Sequence, residues 1–469
     1  MTEQLAGMDA AFLALETPEL PMHVVGVLLL DPAGGADFSI SRLRQLVADR
    51  VHLMAPFCRR LVTTPLSLDK PYWQYDVDID VNAHISEERL PSGDLRALGE
   101  AVGAIASRPL DRSKPLWELH VLSGLDGGRY ALVAKVHHST LYGAAGAEFI
   151  AQLLDLSPEG MDVAPAGDGE ALPQSPGRVD MLRRTVLAQA RRPLDIGRLL
   201  VHGGRNAIGT TRSLVDVVRR HGRVALPALA PRTAISGPLT PAREAAFTAV
   251  SLDDAKVVKD AAGVKLNDVV LAIVAMSLRG YLEARDDVPD RPLAAGVPVN
   301  AGEGDTAGTN TLATMLVALP VDDREPAALL KAVHESTVAA KEFINVVGLS
   351  AVAELAEVTP PAMLSMVSWL NRTFGLESMQ PPMANVVVSN VMGPPIPLYL
   401  AGAKVDAIYP LGPLLPGVGM NITVLSNLDR LDIGVMACPD VVDDVWEIVD
   451  SLPGALNALL SETKSGNSA

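Results

Sequence analysis

The chain has 469 residues, 48% of them hydrophobic, and a formal charge of −16. That length suits two domains, each with a sizeable core, and that charge excludes nucleic acid as a general partner. Two cysteines, Cys58 and Cys438, stand far apart without metal-type spacing, which excludes a disulfide framework and a zinc site and fits a reducing cytoplasm. The first residues, Met1 to Leu5, lack the basic-then-apolar order of a signal peptide. The longest purely apolar run, Val269 to Met276, falls far short of the roughly 20 residues a spanning helix needs. The expected place is the cytoplasm, with peripheral contact to the inner face of the membrane or to lipid droplets left open.

In chain order, Leu5–Glu16 reads as a short helix and Met22–Leu30 as a strand closed by Asp31-Pro32. Ser39–Met54 is helical with Ser39 as N-cap. Arg59–Thr64 and Trp73–Val77 read as strands, and Asp94–Ser107 as a helix with Leu95, Leu98, Val102 and Ile105 on one face. Trp117–Leu122 and Tyr130–Val136 form a hairpin around Gly124 to Gly128, with Trp117 in the core. Gly143 to Leu154 follows as a helix with a small face. His137 and His138 therefore stand where a buried strand ends and turns toward a helix, a usual position for catalytic groups. Adjacent strand residues point to opposite faces, so only one of the two looks into a given channel.

Ser157 to Gly177 is a Pro-, Gly- and acid-rich loop. Arg178–Arg223 then carries eleven arginines and no lysine. Two readings stand open: an amphipathic basic element against an anionic membrane or lipid-droplet surface, or a bridging helix pair with a solvated arginine face. The second half reads as strand Phe247–Leu252, helices Asp253–Ala262 and Leu266–Ala284, strands Leu293–Val299 and Thr311–Leu319, and helices Pro326–Phe343 and Leu349–Asn371. Strands Asn385–Asn390, Val405–Pro410, Met420–Leu425 and Leu431–Ala437 follow, and Val442–Leu460 closes the chain as a helix. The expected division is 1–177, a basic crossover at 178–241, and 242–469, with an α/β layer in each half.

The run His137-His138-Ser139-Thr140-Leu141-Tyr142-Gly143 resembles the His-His-x-x-x-Asp-Gly signature of chloramphenicol-acetyltransferase-like acyltransferases. More blocks resemble one branch, the bacterial wax ester synthase/diacylglycerol acyltransferases: Met8-Asp9 to Phe12 with Glu16 and Pro21-Met22-His23; Lys114 to Glu118; Asn267-Asp268; Asn385 to Asn390 with Gly393-Pro394; and Gly419 to Val424. The resemblance implies an α/β fold of two chloramphenicol-acetyltransferase-like domains, with mixed sheets flanked by helices and a tunnel between them. It implies an acyl-CoA-dependent O-acyltransferase that esterifies diacylglycerol, and long-chain alcohols, without metal or bound cofactor and with acyl-CoA as co-substrate.

It also assigns roles. His138 is the general base and His137 the inward partner that orients the loop. Asn267 is a polar group near the reacting atoms, although a helix N-cap accounts for it equally well. Asp268 stands with the substrate-binding group, or fixes the backbone at the helix start. Ser389 and Asn390 line the acceptor channel or make a turn at a strand end, and Gly143 belongs with the same substrate-binding group. Two positions depart from the pattern: Tyr142 stands for the family's Asp, and Gly302 for the Arg expected after Pro298-Val299. A buried pair lost at both ends can be near neutral, with Tyr142 expected to fill the vacated space. Two rival readings remain: a non-catalytic lipid-binding relative, and a transferase that takes its acyl group from a carrier-protein thioester.

Overall fold

The structure is a computed structural model that describes residues 3–35, 38–54, 57–75, 79–140, 152–161, 163, 175–221, 230–300, 312–347, 355–376 and 381–466. The first half contains β1 (Glu3–Gln4), α1 (Gly7–Leu15), β2 (His23–Asp31), α2 (Ile40–Arg50), β3 (Arg59–Val62), β4 (Tyr72–Tyr75), β5 (Ile85–Arg89), α3 (Leu95–Ala106), β6 (Trp117–Ser123) and β7 (Tyr130–His137). One helix of 44 residues, α4 (Arg178–His221), crosses to the second half. There follow β8 (Glu244–Ser251), α5 (Leu252–Ala262), α6 (Leu266–Glu283), β9 (Leu293–Asn300), β10 (Leu312–Leu319), α7 (Pro326–Val347) and α8 (Pro361–Thr373). The chain ends with β11 (Val386–Val391), β12 (Tyr399–Leu400), β13 (Ala403–Leu411), β14 (Met420–Asn427), β15 (Arg430–Ala437) and α9 (Val445–Gly466).

Two six-stranded mixed sheets carry the fold, in the orders β12-β13-β2-β7-β6-β5 and β10-β9-β11-β14-β15-β8. The expected hairpins form: β6 with β7, and β14 with β15, both antiparallel. The expected cap also forms, as Ser39 Oγ accepts the Arg42 N–H at 3.2 Å. The sheets do not part where the crossover suggests. β13, from the second half, pairs antiparallel with β2 in the first sheet. It is also tied to the other sheet, where the buried Asp432 of β15 accepts the Ile408 N–H at 2.9 Å. A Cβ at Gly434 would lie 2.3 Å from the Pro410 carbonyl oxygen, so only glycine allows this approach.

Two expected helices differ from the structure. The arginine-rich stretch is one continuous helix, running through Pro193, and not a helix pair. The helix expected over Leu349–Asn371 is interrupted: residues 355–358 are helical, and a separate helix begins at Pro361, where Pro360 and Pro361 lack the N–H groups that would join the two.

The halves share one core. Val25, Val27 and Leu29 of β2 and Ala131 and Val133 of β7 pack with Leu98 and Val102 of α3 and with Phe247, Val269 and Ile433 of the second half. Strand alternation puts His23, Lys135 and His137 on that same inward face. α3 lies close on β8: a Cβ on Gly99 would be 2.1 Å from the Ala245 carbonyl oxygen, and one on Gly103 2.3 Å from that of Arg243. Among the described residues no single helix is long and apolar enough to cross a membrane. The pair α5 and α6 passes by length and composition only, is bent by 105°, and buries Val258 and the run from Val269 to Ala275 in the core.

Candidate active site

β7 ends in a tightly stapled turn. The His137 N–H reaches the Leu116 carbonyl at 3.0 Å, and the His138 N–H reaches that of Met22 at 2.8 Å. Thr140 Oγ1 donates to the His137 carbonyl at 2.7 Å. The Ser139 N–H donates to His137 Nδ1 at 3.1 Å, and Ser139 Oγ lies 2.7 Å from the same nitrogen. A ring nitrogen that accepts from a backbone amide carries no proton, so the proton of neutral His137 sits on Nε2.

That Nε2 faces Glu16 Oε1 at 3.5 Å, an ion-pair distance longer than a good hydrogen bond. Glu16 follows the end of α1 and is nearly sealed, at 7% side-chain exposure. Its Oε2 receives Arg112 Nη2 at 2.5 Å and Nε at 3.2 Å, and its Oε1 receives the Met22 N–H at 3.3 Å. Burial alone would raise its pKa; His137 and Arg112 outweigh that and hold it at about 2. Burial lowers the pKa of His137, with the Glu16 carboxylate opposing. Here, then, a buried carboxylate and a half-exposed guanidinium pair directly behind the histidine turn. Tyr142, Gly143 and Gly302 lie outside the described residues, so the expected filling by Tyr142 is not placed.

His138 opens the turn. Its ring packs against that of Phe12 of α1, tilted by 34° with centroids 4.2 Å apart. Its Nδ1 is buried without a hydrogen-bond partner, which leaves Nε2 as the nitrogen open to a substrate. Burial, helped by the like charge His137 would carry, pushes the His138 pKa down to about 4, and the residue's own backbone carbonyl acts the other way. The ring is neutral throughout the physiological range. Sequence reasoning assigned no role to Glu16, Phe12 or Arg112. Glu16 and Phe12 were marked only as members of the N-terminal block, and Arg112 carried no signal at all.

The other expected site residues fall elsewhere. Asn267 is half-buried inside α6 and is not its N-cap; that position belongs to Lys265. Asp268 does fix the helix start, accepting the Lys265 N–H at 3.0 Å, and the same oxygen lies 2.8 Å from His334 Nδ1. Ser389 and Asn390 are on β11 itself and not in a turn, beside Thr423 and Val424 of β14. Among the described residues no hydrogen bond joins Asn267, Asp268, Ser389 or Asn390 to either histidine of the pair. Trp117 is core, as expected: its Nε1 donates to the Phe57 carbonyl at 3.1 Å, and it stacks on His84 with centroids 4.2 Å apart.

A small cavity of about 10 Å³ lies between the halves, lined by Pro21, His23 and Ala106 on one side and Arg243, Leu414 and Met436 on the other; His138 is not among its lining residues. His23 is the cross-strand neighbour of His137. Its Nε2 bonds the Ala106 carbonyl at 2.8 Å, its Nδ1 has no partner, and burial pushes its pKa down to about 3.

Comparison with known proteins agrees with this arrangement. Residues 5–270 match the model of the wax ester synthase/diacylglycerol acyltransferase catalytic domain, and residues 308–460 that of the C-terminal domain of the same family. Two Mycobacterium tuberculosis CDC 1551 proteins named as diacylglycerol O-acyltransferases are similar. MT1809 is 33% identical over 98% of this chain and 90% of its own length; MT0231 is 35% identical over 95% and 93%. The wax ester synthase/diacylglycerol acyltransferase of Marinobacter aquaeolei VT8 has a similar structure, with a TM-score of 0.68 and 26% identity over 98% of this chain and all of that one. The starter condensation domain of rhizomide synthetase shares the fold, with a TM-score of 0.52 at 14% identity over 99% of this chain and 94% of that one. The histidine turn, the two-sheet architecture and these matches over nearly the whole chain lead to one conclusion: the protein belongs to the wax ester synthase/diacylglycerol acyltransferase family of acyltransferases.

Proposed function

We propose that the protein transfers the acyl group of an acyl-CoA to the free hydroxyl of diacylglycerol, and to long-chain alcohols, making triacylglycerol or wax ester. His138 is the general base. Its Nε2 takes the hydroxyl proton as the oxygen attacks the thioester carbonyl, and the imidazolium returns that proton to the departing CoA thiolate. The acceptor oxygen forms the new ester bond while the carbon–sulfur bond breaks, with no covalent enzyme intermediate and no bound cofactor.

The observation that supports this most is the state of the His138 ring. With Nδ1 buried and burial lowering its pKa to about 4, the ring is a neutral base near pH 7. His137 and the Glu16–Arg112 pair hold the turn that carries it. We place the enzyme in the cytoplasm, in peripheral contact with a lipid surface that supplies the acceptor.

The test supplies labelled acyl-CoA and diacylglycerol and follows labelled triacylglycerol. Turnover should fall about 10²-fold or more in His138→Ala, the usual scale for a general base. An unchanged rate removes His138 from the mechanism. Turnover with an acyl-carrier protein but not with acyl-CoA would reassign the donor.

A further inference from the structure

Leu66 sits at the tip of a turn, Pro65–Ser67, that the Thr64 hydroxyl closes by hydrogen bonds with the Asp69 backbone. Its φ is 54° and that of Ser67 is 51°, a backbone region that side chains other than glycine rarely adopt. The strained turn holds a leucine 84% exposed.

Two helices pack against this turn. On one side α4 is fastened to it: Arg192 Nη1 donates to the Leu68 carbonyl at 3.0 Å, Gln189 donates to the same oxygen, and Arg192 Nη2 lies 3.6 Å from Asp69 Oδ1. The docked face of α4 buries Met181 and Thr185. The opposite face is not polar, as a solvated helix requires. It presents Val179, Leu182 and Val186 to solvent, at spacings of three and four residues. On the other side of the turn α8 exposes Trp369, and Phe374 is exposed just past its end.

Positive charge runs along the α4 side of this apolar strip. α4 holds ten arginines against three aspartates in a chain whose net charge is −16. Arg178, Arg183 and Arg191 are exposed and have no carboxylate partner among the described residues. Exposed leucine, valine and tryptophan with unpaired arginine on the same helix as the valines fit a surface that is apolar inside and anionic at its edge. A second copy of the chain fits less well, because a two-fold dimer would crowd two arginine strips together.

We propose that the Leu66 turn, the outer face of α4 and the outer face of α8 form one docking surface for an anionic lipid bilayer, with Leu66 and Trp369 entering the headgroup region. The purpose of this surface rests on the lipid-acyltransferase reading; its test does not.

The protein carries its own reporter. Of its four tryptophans, Trp73, Trp117 and Trp446 are buried and only Trp369 is exposed, at 51%. The full chain is mixed with vesicles of phosphatidylcholine alone, or of phosphatidylcholine with phosphatidylglycerol, and followed by tryptophan emission and co-sedimentation. A blue shift and sedimentation with the anionic vesicles, weakened by salt, are expected. Leu66→Asp and Val186→Asp should each lower partitioning about tenfold or more. Arg183→Glu with Arg191→Glu should remove the preference for the anionic vesicles. Circular dichroism and turnover of a short-chain alcohol without vesicles confirm that each variant is folded.

No binding to anionic vesicles, or binding indifferent to Leu66→Asp, overturns the proposal. So does a concentration-dependent dimer that the same substitution dissolves. Vesicle binding by a protein without turnover would strike the enzymatic reading and leave the docking surface standing.

Discussion

Glu16 Oε1 and His137 Nε2 lie 3.5 Å apart, with Arg112 closing on the far oxygen of the carboxylate. The resemblance led us to expect an Asp–Arg pair around the histidine loop, and both of those positions are substituted in this sequence. The Glu16–Arg112 pair sits behind the same turn and supplies a buried carboxylate to the first histidine. That carboxylate favours the His137 tautomer with its proton on Nε2, which in turn leaves Nδ1 to accept the Ser139 amide.

Glu16 is thus a positioning residue, and Glu16→Gln tests it. The amide keeps the shape but removes the charge from both His137 and Arg112. We expect kcat to fall on the order of tenfold or more with KM little changed, as when a carboxylate that orients an imidazole is neutralised. Glu16→Asp should restore part of the loss. Steady-state kinetics showing a change in KM alone would refute the role.

The pH dependence of turnover follows from His138. A base held at a pKa of about 4 remains unprotonated well below the ordinary histidine range. The acid limb of kcat/KM should therefore fall near pH 4 and not near 6.5. A limb at the ordinary value, measured where circular dichroism shows the fold intact, would mean that the ring is hydrated in the working enzyme.

Stability should decline with acid in two overlapping stages. Between pH 6.5 and 4 the unfolded chain protonates His138 while the folded one does not, so stability falls as pH falls, by about 3 kcal/mol in total from this residue. Glu16 has the depressed pKa of a paired acid. Its stabilisation, also about 3 kcal/mol, is fully present above pH 4.5 and is lost as pH falls through about 2. Denaturant melts of His138→Ala against the parent chain, at pH 7 and pH 4.5, should show a smaller acid-induced loss in the variant.

The contact between the halves predicts a different kind of failure. Gly99→Ala puts a methyl 2.1 Å from the Ala245 carbonyl oxygen, inside backbone that cannot swing away. We expect about 1–3 kcal/mol of destabilisation from forced separation of α3 and β8. Gly454→Ala, where no atom stands within 4 Å of the new methyl, is the control and should cost nothing comparable. Equal melting shifts for the two would show that α3 tolerates displacement.

Local features of the molecule were legible from the residues alone. The short, partly β-branched apolar run Tyr130–Val136, bounded by glycines, reads as a buried strand and is one, and Gly124 to Gly128 turns it back on its neighbour. Ser39 caps α2 because its hydroxyl is one turn from an unpaired amide. β5 escaped notice because Ile85–Arg89 has one buried apolar residue followed by four exposed polar ones, and it is a strand only through parallel pairing with β6 at a sheet edge.

What the sequence by itself determined was the periodicity of each segment, the short turns between neighbours, and a histidine pair placed at a strand end. What only the tertiary structure decided was which distant segments meet. β13 joins β2 across most of the chain's length, and Glu16 finds Arg112 from 96 residues away. The reason is physical: helix and strand periods depend on neighbours a few residues apart. A strand edge accepts any partner with free amides, and a carboxylate accepts any cation, so burial and packing of the whole molecule make the choice.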